Sequence, residues 1–170
     1  MTKIASTTMT TPIGPFTMIG GDDGMIAAGF VATVGELCRE LRHPAGADAA
    51  VERRDLGGLS EAVVRYFAGD IHALDAIKVT QEGTRFQQAA WTVLRAIPAG
   101  ETISYRELAA RTHTRSARAA GSACGRNAVT LFVPCHRVVQ SGGGLGGYYW
   151  GLERKRWLLE HERRHGRSTP

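Results

Sequence analysis

The sequence has few cysteines, no long hydrophobic run and no export signal. Its three cysteines are odd in number, widely spaced and never arranged as CxxC, which argues against a disulfide framework and against a thiolate zinc site. Its apolar runs fall well short of the roughly 18 residues of a membrane-spanning helix, and no basic segment followed by an apolar one stands at the N-terminus. We therefore expect reduced thiols in a cytoplasmic protein without a membrane span.

A phosphate loop is also missing. Residues 141–147 are rich in glycine but lack the Gly-Lys-Ser/Thr ending that nucleotide hydrolysis requires. We expect a flexible loop here, and it leads directly to Tyr148, Tyr149 and Trp150. Aromatic side chains that follow a flexible loop are candidates for the wall of a pocket.

Lysine is scarce in the second half of the chain, where the positive charge is almost all arginine. Residues 1–80 carry 7 Lys+Arg against 10 Asp+Glu, a net charge of −3, whereas residues 81–170 carry 14 against 6, a net charge of +8. Thirteen of these 14 cations are arginine, whose planar guanidinium favours bidentate contacts to phosphate. A solvated basic face is the alternative, but the imbalance indicates a nucleic-acid surface in the second half.

Hydrophobic periodicity predicts an α+β protein with two domains, for which 170 residues suffice. Residues 1–80 read as a small N-terminal antiparallel β/α domain, with a strand meander over residues 4–31 and helices near residues 36–42 and 60–68. Residues 81–170 read as a mostly helical C-terminal domain. We expect the first domain to support the second, because nothing in it looks catalytic.

Two short helices in the second domain predict a helix-turn-helix. Capping-box spacing marks the start of one helix at Thr84 and of another at Ser104. The helix that begins at Ser104 runs to about Arg111 and is the first of the two. After a turn, a slim helix of residues 115–125 is built mainly of alanine, glycine and serine and carries Arg115 and Arg118. Small residues alone favour packing inside the protein, but two arginines among them favour insertion into a nucleic-acid groove.

The stretch of residues 133–139, Val-Pro-Cys-His-Arg-Val-Val, is the strongest candidate for chemistry. Pro134 fixes its own φ and lacks an N–H donor, so a strand through residues 131–133 is expected to end there and present Cys135. Cysteine is the strongest nucleophile among the side chains once it is ionised. A buried, inert cysteine is the alternative.

A histidine follows this cysteine directly. Adjacent residues of an extended chain point to opposite faces, so His136 is expected to act on Cys135 through a water molecule or a turned backbone. A third group must then orient the imidazole. Glu160 and Glu162, on a predicted C-terminal amphipathic helix, are the candidates.

Taken in order, these motifs resemble the 6-O-alkylguanine-DNA alkyltransferases, also called methylated-DNA–protein-cysteine methyltransferases. The resemblance runs from about residue 86 to residue 162. It is carried by Phe86-Gln87-Gln88 with Trp91, by residues 97–102, by Ser104-Tyr105, by Ala117-Arg118-Ala119, by Asn127, by residues 134–139 and by the helix over residues 155–162.

The resemblance implies direct-reversal DNA repair. The protein would flip a 6-O-alkylguanine out of double-stranded DNA and transfer its alkyl group irreversibly to Cys135, acting once per molecule. His136 would activate Cys135 through water, and Glu162 would orient His136. Tyr105 would displace a DNA phosphate and donate toward the guanine, while Arg118 would take the place of the flipped base.

The resemblance assigns the remaining site residues as well. Asn127 would brace the turn after the second helix, although Ala128 stands where the family usually has proline. Other candidates for DNA contact are Arg106, Ser141 and Arg115. The substrate pocket is expected to be lined by Val138, Tyr148, Tyr149 and Trp150. We expect no cofactor and no metal, and a monomer, with cooperative binding along DNA left open.

Trp150 stands where relatives that accept benzyl groups have glycine, so an inward Trp150 is expected to narrow the pocket, and an outward one is the alternative. Two other functions stay open. A cysteine hydrolase would use Cys135, His136 and Glu162 as a triad and turn over repeatedly. A DNA-binding module would recognise damaged bases without repairing them, although the presence of Cys135 argues against it.

Overall fold

The computed structural model describes residues 3–42 and 44–167. Two compact units form: the first comprises Met1–Glu82 and Ala128–Phe132, and the second comprises Gly83–Asn127 and Val133–Pro170. The sequence-based boundary assigned residues 128–132 to the second domain, whereas the structure groups them with the first. Their hydrogen bonds explain this, because the N–H of Ala28 donates to Ala128 O at 2.9 Å and the N–H of Thr130 donates to Ala28 O at 3.3 Å.

The first unit is built on a four-stranded sheet of order β3-β2-β1-β4. Its strands are β1 (Ala5–Thr11), β2 (Gly14–Gly21), β3 (Gly24–Gly29) and β4 (Val51–Glu52). The first three strands are antiparallel, and β4 pairs with β1 in parallel. The predicted meander is therefore present, but the sheet is mixed. The N–H of Val51 donates to Ile4 O at 3.1 Å and adds the parallel strand.

Among the described residues, this unit contains two α-helices, α1 (Val34–Glu40) and α2 (Gly58–Phe67), and a 3₁₀ turn at Ala47–Ala49. The Thr33 side chain caps α1 by accepting from the N–H of Glu36 at 3.1 Å. Helix α2 buries Ala62, Val63 and Tyr66, the apolar stripe that its sequence predicts. Burial of this kind supplies most of the stability of short helices.

Four helices and a small parallel sheet form the second unit. They are α3 (Arg85–Ala96), β5 (Ile103–Ser104), α4 (Tyr105–Arg111), α5 (Ala117–Gly125), β6 (Val138–Val139) and α6 (Leu152–Gly166). Thr84 and Gln87 form the predicted capping box of α3, and Ser104 caps α4 through the N–H of Glu107. The α+β class is thereby confirmed, whereas the helix-turn-helix interpretation of α4 and α5 stays a prediction. No helix in the described ranges is long and apolar enough to cross a membrane.

The small residues of α5 serve packing on one side of the helix. Ala120 and Ala123 are buried, and the Trp91 indole donates to Ala123 O at 3.0 Å. A Cβ at Gly121 would lie 3.8 Å from the Tyr105 ring. Close packing therefore accounts for much of the small-residue pattern, while Arg118 remains exposed.

The strand predicted over residues 131–133 is absent, and this expectation was wrong. Leu131 has a φ of 73°, in the left-handed region, which an extended strand cannot accommodate. The N–H of Cys135 bonds to Val133 O at 2.9 Å, and the N–H of Arg137 bonds to Pro134 O at 3.0 Å. Cys135–Arg137 is consequently one turn of 3₁₀ helix, so Cys135 and His136 lie on a tight turn.

Candidate active site

A cavity of about 480 Å³ lies in the second unit, and Cys135 is on its wall. Its lining includes residues of α5 and of the glycine-rich loop: Tyr105, Ala117, Arg118, Gly121, Cys124, Gly125, Cys135, Gln140, Gly146, Gly147, Tyr148 and Tyr149. Cys135 itself is 9% exposed. Its sulfur is therefore sheltered from bulk water while its residue borders a space large enough for a small molecule.

His136 is completely buried beside this cysteine and is held by a carboxylate. Its Nε2 lies 2.8 Å from Glu162 Oε1. Within the described ranges, His136 Nδ1 is the one buried side-chain nitrogen or oxygen without a hydrogen-bond partner. Because the carboxylate can only accept, we assign the proton to Nε2 and the open lone pair to Nδ1. The imidazole is thus arranged as a base.

Glu162, rather than Glu160, orients the histidine. Glu160 is exposed and pairs with Arg164 at 3.2 Å. Glu162 is fully buried. Arg137 binds its carboxylate in a bidentate manner, with Nε 3.0 Å from Oε2 and Nη2 2.9 Å from Oε1. A third donor is the N–H of Gly100, at 3.3 Å from Oε2.

The charges of this cluster follow from burial and from Arg137. Burial raises the pKa of Glu162, but the hydrogen bonds that it accepts from His136 and Arg137, together with the positive charge of Arg137, outweigh it and hold that pKa well below its usual range. Burial lowers the pKa of His136, Glu162 opposes this, and Arg137 and Lys155 add to the lowering. We therefore assign a neutral imidazole and an ionised carboxylate, with Arg137 as the counter-charge.

Arg137 is a site residue that the sequence analysis missed. Besides holding Glu162, it donates from Nη1 to Ile97 O at 2.7 Å, and it is only 4% exposed. Buried arginines are rare unless paired. Its position directly after Cys135 and His136 is the signal that would have found it.

Asn127 contacts both the turn and the sulfur. Its Nδ2 donates to Val133 O at 2.8 Å and lies 3.5 Å from Cys135 Sγ. Asn127 therefore links the end of α5 to the segment that carries Cys135, and its role as a brace stays a prediction. Ala128, which stands in place of a proline, uses the N–H that proline would lack, because it donates to Gln81 Oε1 at 2.9 Å.

Lys155, the only lysine among residues 81–170, is completely buried and was also missed. Its Nζ donates to Val138 O at 2.7 Å, to Gly147 O at 3.0 Å and to Leu145 O, and lies 3.4 Å from the Tyr105 hydroxyl. Burial lowers its pKa. A compact ammonium can point its donors at these three carbonyl oxygens, whereas a planar guanidinium could not fit among them. The isolated lysine in an arginine-rich half was the available signal.

Tyr105 lines the cavity and contacts the glycine-rich loop. Its hydroxyl donates to Gly147 O at 3.3 Å. Burial raises the pKa of Tyr105 to about 12, so the phenol keeps its proton at neutral pH. Gly146 has a φ of 70°, and a Cβ there would lie 2.5 Å from the Tyr105 ring. Only glycine lets the loop approach this closely.

The candidate DNA contacts are distributed over two faces. Arg118 lines the cavity together with Tyr105. Arg106 and Arg115 are both exposed and border a separate cavity of about 710 Å³ beside the turn between α4 and α5. Ser141 is exposed and lies outside the lining of the cavity that holds Cys135.

Of the four predicted pocket residues, the structure places two on the cavity wall. Tyr148 and Tyr149 line it, whereas Val138 and Trp150 do not. Val138 is buried in β6, where it pairs with β5. Trp150 is only 8% exposed, and its ring meets that of Tyr149 edge-on at 4.9 Å.

The expectation that Trp150 narrows the pocket is therefore corrected. Consecutive side chains leave the backbone in different directions, so the chain exposes 55% of Tyr149 beside the cavity and turns the larger indole into the protein. Cys124 and Gln140 are lining residues that the sequence analysis did not select. In the described part of the chain, no three His, Cys, Asp or Glu residues are grouped so as to hold a metal ion.

The chain is similar in sequence and fold to proteins of one family. Residues 85–164 match the family model described as 6-O-methylguanine DNA methyltransferase, DNA binding domain. A methylated-DNA–protein-cysteine methyltransferase of Salmonella typhimurium is 46% identical over 107 residues, 62% of this chain and 63% of that protein. The match thus spans less than two thirds of that relative. The Mycolicibacterium paratuberculosis protein of the same name is 38% identical over 163 residues, 95% of this chain and 94% of that one.

Similarity to a solved structure extends over almost the whole fold. The crystal structure of Mycobacterium tuberculosis OGT in complex with DNA superposes with a TM-score of 0.79 at 33% identity. The superposition covers 95% of this chain and 94% of that one. Both the N-terminal sheet and the helical unit therefore have counterparts in a protein that was crystallised on DNA.

Proposed function

Because the chain belongs to the methylated-DNA–protein-cysteine methyltransferases, we propose that it repairs double-stranded DNA by moving the alkyl group of a 6-O-alkylguanine onto Cys135. One observation carries the choice of Cys135. It borders a cavity of about 480 Å³ and is followed on the same turn by an imidazole whose Nε2 is 2.8 Å from a buried carboxylate. Neither Cys38 nor Cys124 is followed in sequence by a histidine.

The His136 base prepares the nucleophile. Its open Nδ1 takes the Cys135 proton through an intervening water, and Glu162 stabilises the imidazolium that forms. A lowered His136 pKa keeps this base neutral, and therefore competent, below the ordinary value of 6.5. The Asn127 amide, 3.5 Å from the sulfur, stabilises the resulting thiolate.

The transfer step is an in-line displacement at the alkyl carbon. The thiolate sulfur forms a bond to that carbon, the carbon–oxygen bond breaks, and its electron pair stays with the guanine. The protonated Tyr105 hydroxyl lies on the wall of the same cavity and donates to the base as this charge develops. The target atom is inaccessible inside a duplex, so the base must first be flipped, at a cost of a few kcal/mol.

The product explains why the protein acts once. Alkylated Cys135 is a thioether, which has no carbonyl for water to attack, so the thiol is not regenerated. A cysteine hydrolase would instead form a thioester and turn over. The basic second half of the chain, with a net charge of +8 from 14 Lys+Arg and 6 Asp+Glu, supports the DNA substrate rather than a small ester. We further propose that the protein works as a monomer in the cytoplasm.

Incubation with duplex DNA that carries radiolabelled 6-O-methylguanine tests this function. We expect the label on the Cys135 peptide, saturating at one per protein molecule. Release of free label over many turnovers would instead identify a hydrolase. Binding without any transfer would identify a recognition module.

Arg118→Ala is expected to slow repair in duplex DNA while leaving reaction with the free alkylated base nearly unchanged. Arg118 borders the cavity and is exposed, so its proposed task is to fill the space that the flipped base leaves. Losing a stacking contact worth about 1–3 kcal/mol predicts a loss of roughly 5- to 150-fold in duplex. Single-turnover rates on the two substrates measure the difference.

Arg115→Ala is the matched control, because Arg115 is exposed nearby but lies outside the lining of the cavity with Cys135. A phosphate contact predicts weaker binding and a shallower salt dependence, with no selective effect on flipping. Equal losses on duplex and free base in Arg118→Ala would refute the role in the base stack.

Trp150→Gly is expected to destabilise the protein without changing the ratio of reaction with benzylguanine to that with methylguanine. The indole is 8% exposed and outside the cavity, so its removal leaves a void that costs about 3–5 kcal/mol of unfolding free energy. Tyr149→Gly, on the cavity wall, is the comparison and should change the ratio. Denaturant titration and paired rate constants separate the two effects. A selective gain in the benzyl rate of Trp150→Gly would contradict this placement.

A further inference from the structure

Two thiols share the cavity. Cys124, in the last turn of α5, lines it together with Cys135. Asn127 connects them, because its backbone N–H bonds to Cys124 O at 3.2 Å while its side-chain Nδ2 lies 3.5 Å from Cys135 Sγ. The proposed repair reaction uses only one of these two sulfurs.

The pair is electrostatically unequal. Burial, together with the negative charge of Cys135, raises the pKa of the Cys124 thiol to about 12, and Lys155 partly opposes this. Cys124 therefore stays protonated at neutral pH, whereas Cys135 is the sulfur that the proposed His136 base deprotonates. One sulfur is prepared to attack an electrophile, and the other waits beside it as a neutral thiol.

We propose that Cys124 is a resolving thiol, which closes a disulfide with Cys135 after a hydroperoxide has oxidised Cys135. This proposal rests on the proposed function only in taking Cys135 as the ionised nucleophile. A disulfide would withhold the thiol from DNA, and a dithiol reductant would return it. Cys124 would thus protect a nucleophile that each protein molecule can use for only one transfer.

The chemistry balances in two steps. The Cys135 thiolate attacks one peroxide oxygen, the O–O bond breaks and hydroxide leaves, so the sulfur is oxidised to a sulfenic acid and the peroxide is reduced. The Cys124 sulfur then attacks the Cys135 sulfur, the S–O bond breaks, and the hydroxyl leaves with the Cys124 proton as water. The net change is the loss of two hydrogen atoms from the thiol pair.

The first step also prepares the second. A sulfenic acid at Cys135 is neutral at moderate pH, so the negative charge that helps to keep Cys124 protonated is gone, while the buried Lys155 cation remains to favour a thiolate. The cavity gives a small hydroperoxide access to both side chains. Without a resolving thiol, further oxidation to the sulfinic acid would be irreversible.

Treatment of the purified protein with hydrogen peroxide, followed by thiol blocking and non-reducing peptide mass spectrometry, tests the proposal. In the wild type we expect a linked Cys124–Cys135 peptide pair, lighter by two hydrogen atoms, and full return of alkyl transfer after dithiothreitol. In Cys124→Ser and Cys124→Ala we expect sulfinic acid on Cys135 and a loss of transfer that dithiothreitol does not reverse. Each variant is compared with its own untreated activity.

Cys38→Ser is the matched control, since Cys38 lies in the first unit, and it should behave as the wild type. The proposal is overturned if no linked peptide forms in the wild type, or if the wild type loses activity as irreversibly as Cys124→Ser. The peptide readout needs no DNA. A linked pair in a protein that repairs nothing would therefore reject the proposed function alone, whereas repair without a linked pair would reject the resolving thiol alone.

Discussion

Cys135→Ser is expected to lower alkyl transfer by roughly 10⁴-fold or more, the order of loss seen when an enzyme loses its nucleophile. A hydroxyl ionises far less readily than a thiol, and it is a weaker nucleophile toward carbon. Binding to alkylated DNA should persist, because the basic residues of α4 and α5 are untouched. Transfer of radiolabel and a gel-shift titration on the same duplex measure both properties.

Cys38→Ser provides the control for a cysteine change away from the site, and it should transfer at the wild-type rate. Retained transfer in Cys135→Ser would assign the nucleophile to another thiol. Cys124 would be the first suspect, because it lines the same cavity. The double variant Cys124→Ser/Cys135→Ser would then identify it.

Glu162→Gln is expected to cost about 3–5 kcal/mol of unfolding free energy, the penalty for leaving a buried charge without its partner. Arg137 is 4% exposed and donates two of its hydrogen bonds to this carboxylate. The amide nitrogen that replaces one oxygen can only donate, so it faces an Arg137 donor in either orientation, and in one orientation it faces the His136 N–H as well. Transfer should also slow, because the His136 ring loses the acceptor that orients it. Denaturant titration and single-turnover kinetics measure the two losses.

Glu160→Gln is the matched control two residues away on α6. Glu160 is exposed and pairs only with Arg164 at 3.2 Å among the contacts of the described chain, and such surface pairs contribute about 0–1 kcal/mol. A similar stability for both variants would contradict the expected cost of disrupting the buried contacts between Arg137 and Glu162.

The acid dependence of stability supplies a second check on Glu162. Its pKa is lowered in the folded protein from an ordinary value of 4.5. The stabilisation is therefore fully present above pH 4.5 and is lost as the pH falls toward the lowered value. Glu162→Gln should lack this part of the pH dependence, whereas Glu160→Gln should keep it. An unchanged acid profile in Glu162→Gln would place the titrating group elsewhere.

Local patterns made much of the fold predictable. A capping box is a contact between residues three apart, so Thr84 and Gln87 announce the start of α3 without any knowledge of the rest of the chain. The strands of the meander are separated by turn residues, which are equally local signals. The missing strand at residues 131–133 shows the limit, because leucine by itself disfavours the positive φ that Leu131 adopts, so the residue type gives no sign of it.

The sequence by itself determined the family, and it selected Cys135 and His136 as the candidate nucleophile and base, since these depend on short motifs in a set order. Only the tertiary structure decided which distant groups complete the site. Lys155 meets Tyr105 across 50 residues, Glu162 meets Gly100 across 62, and Trp150 turns away from the cavity. The physical reason is that a buried charge or ring takes whichever partners the packed chain brings within hydrogen-bond or van der Waals distance. Those partners are far away in sequence, where no local pattern records them.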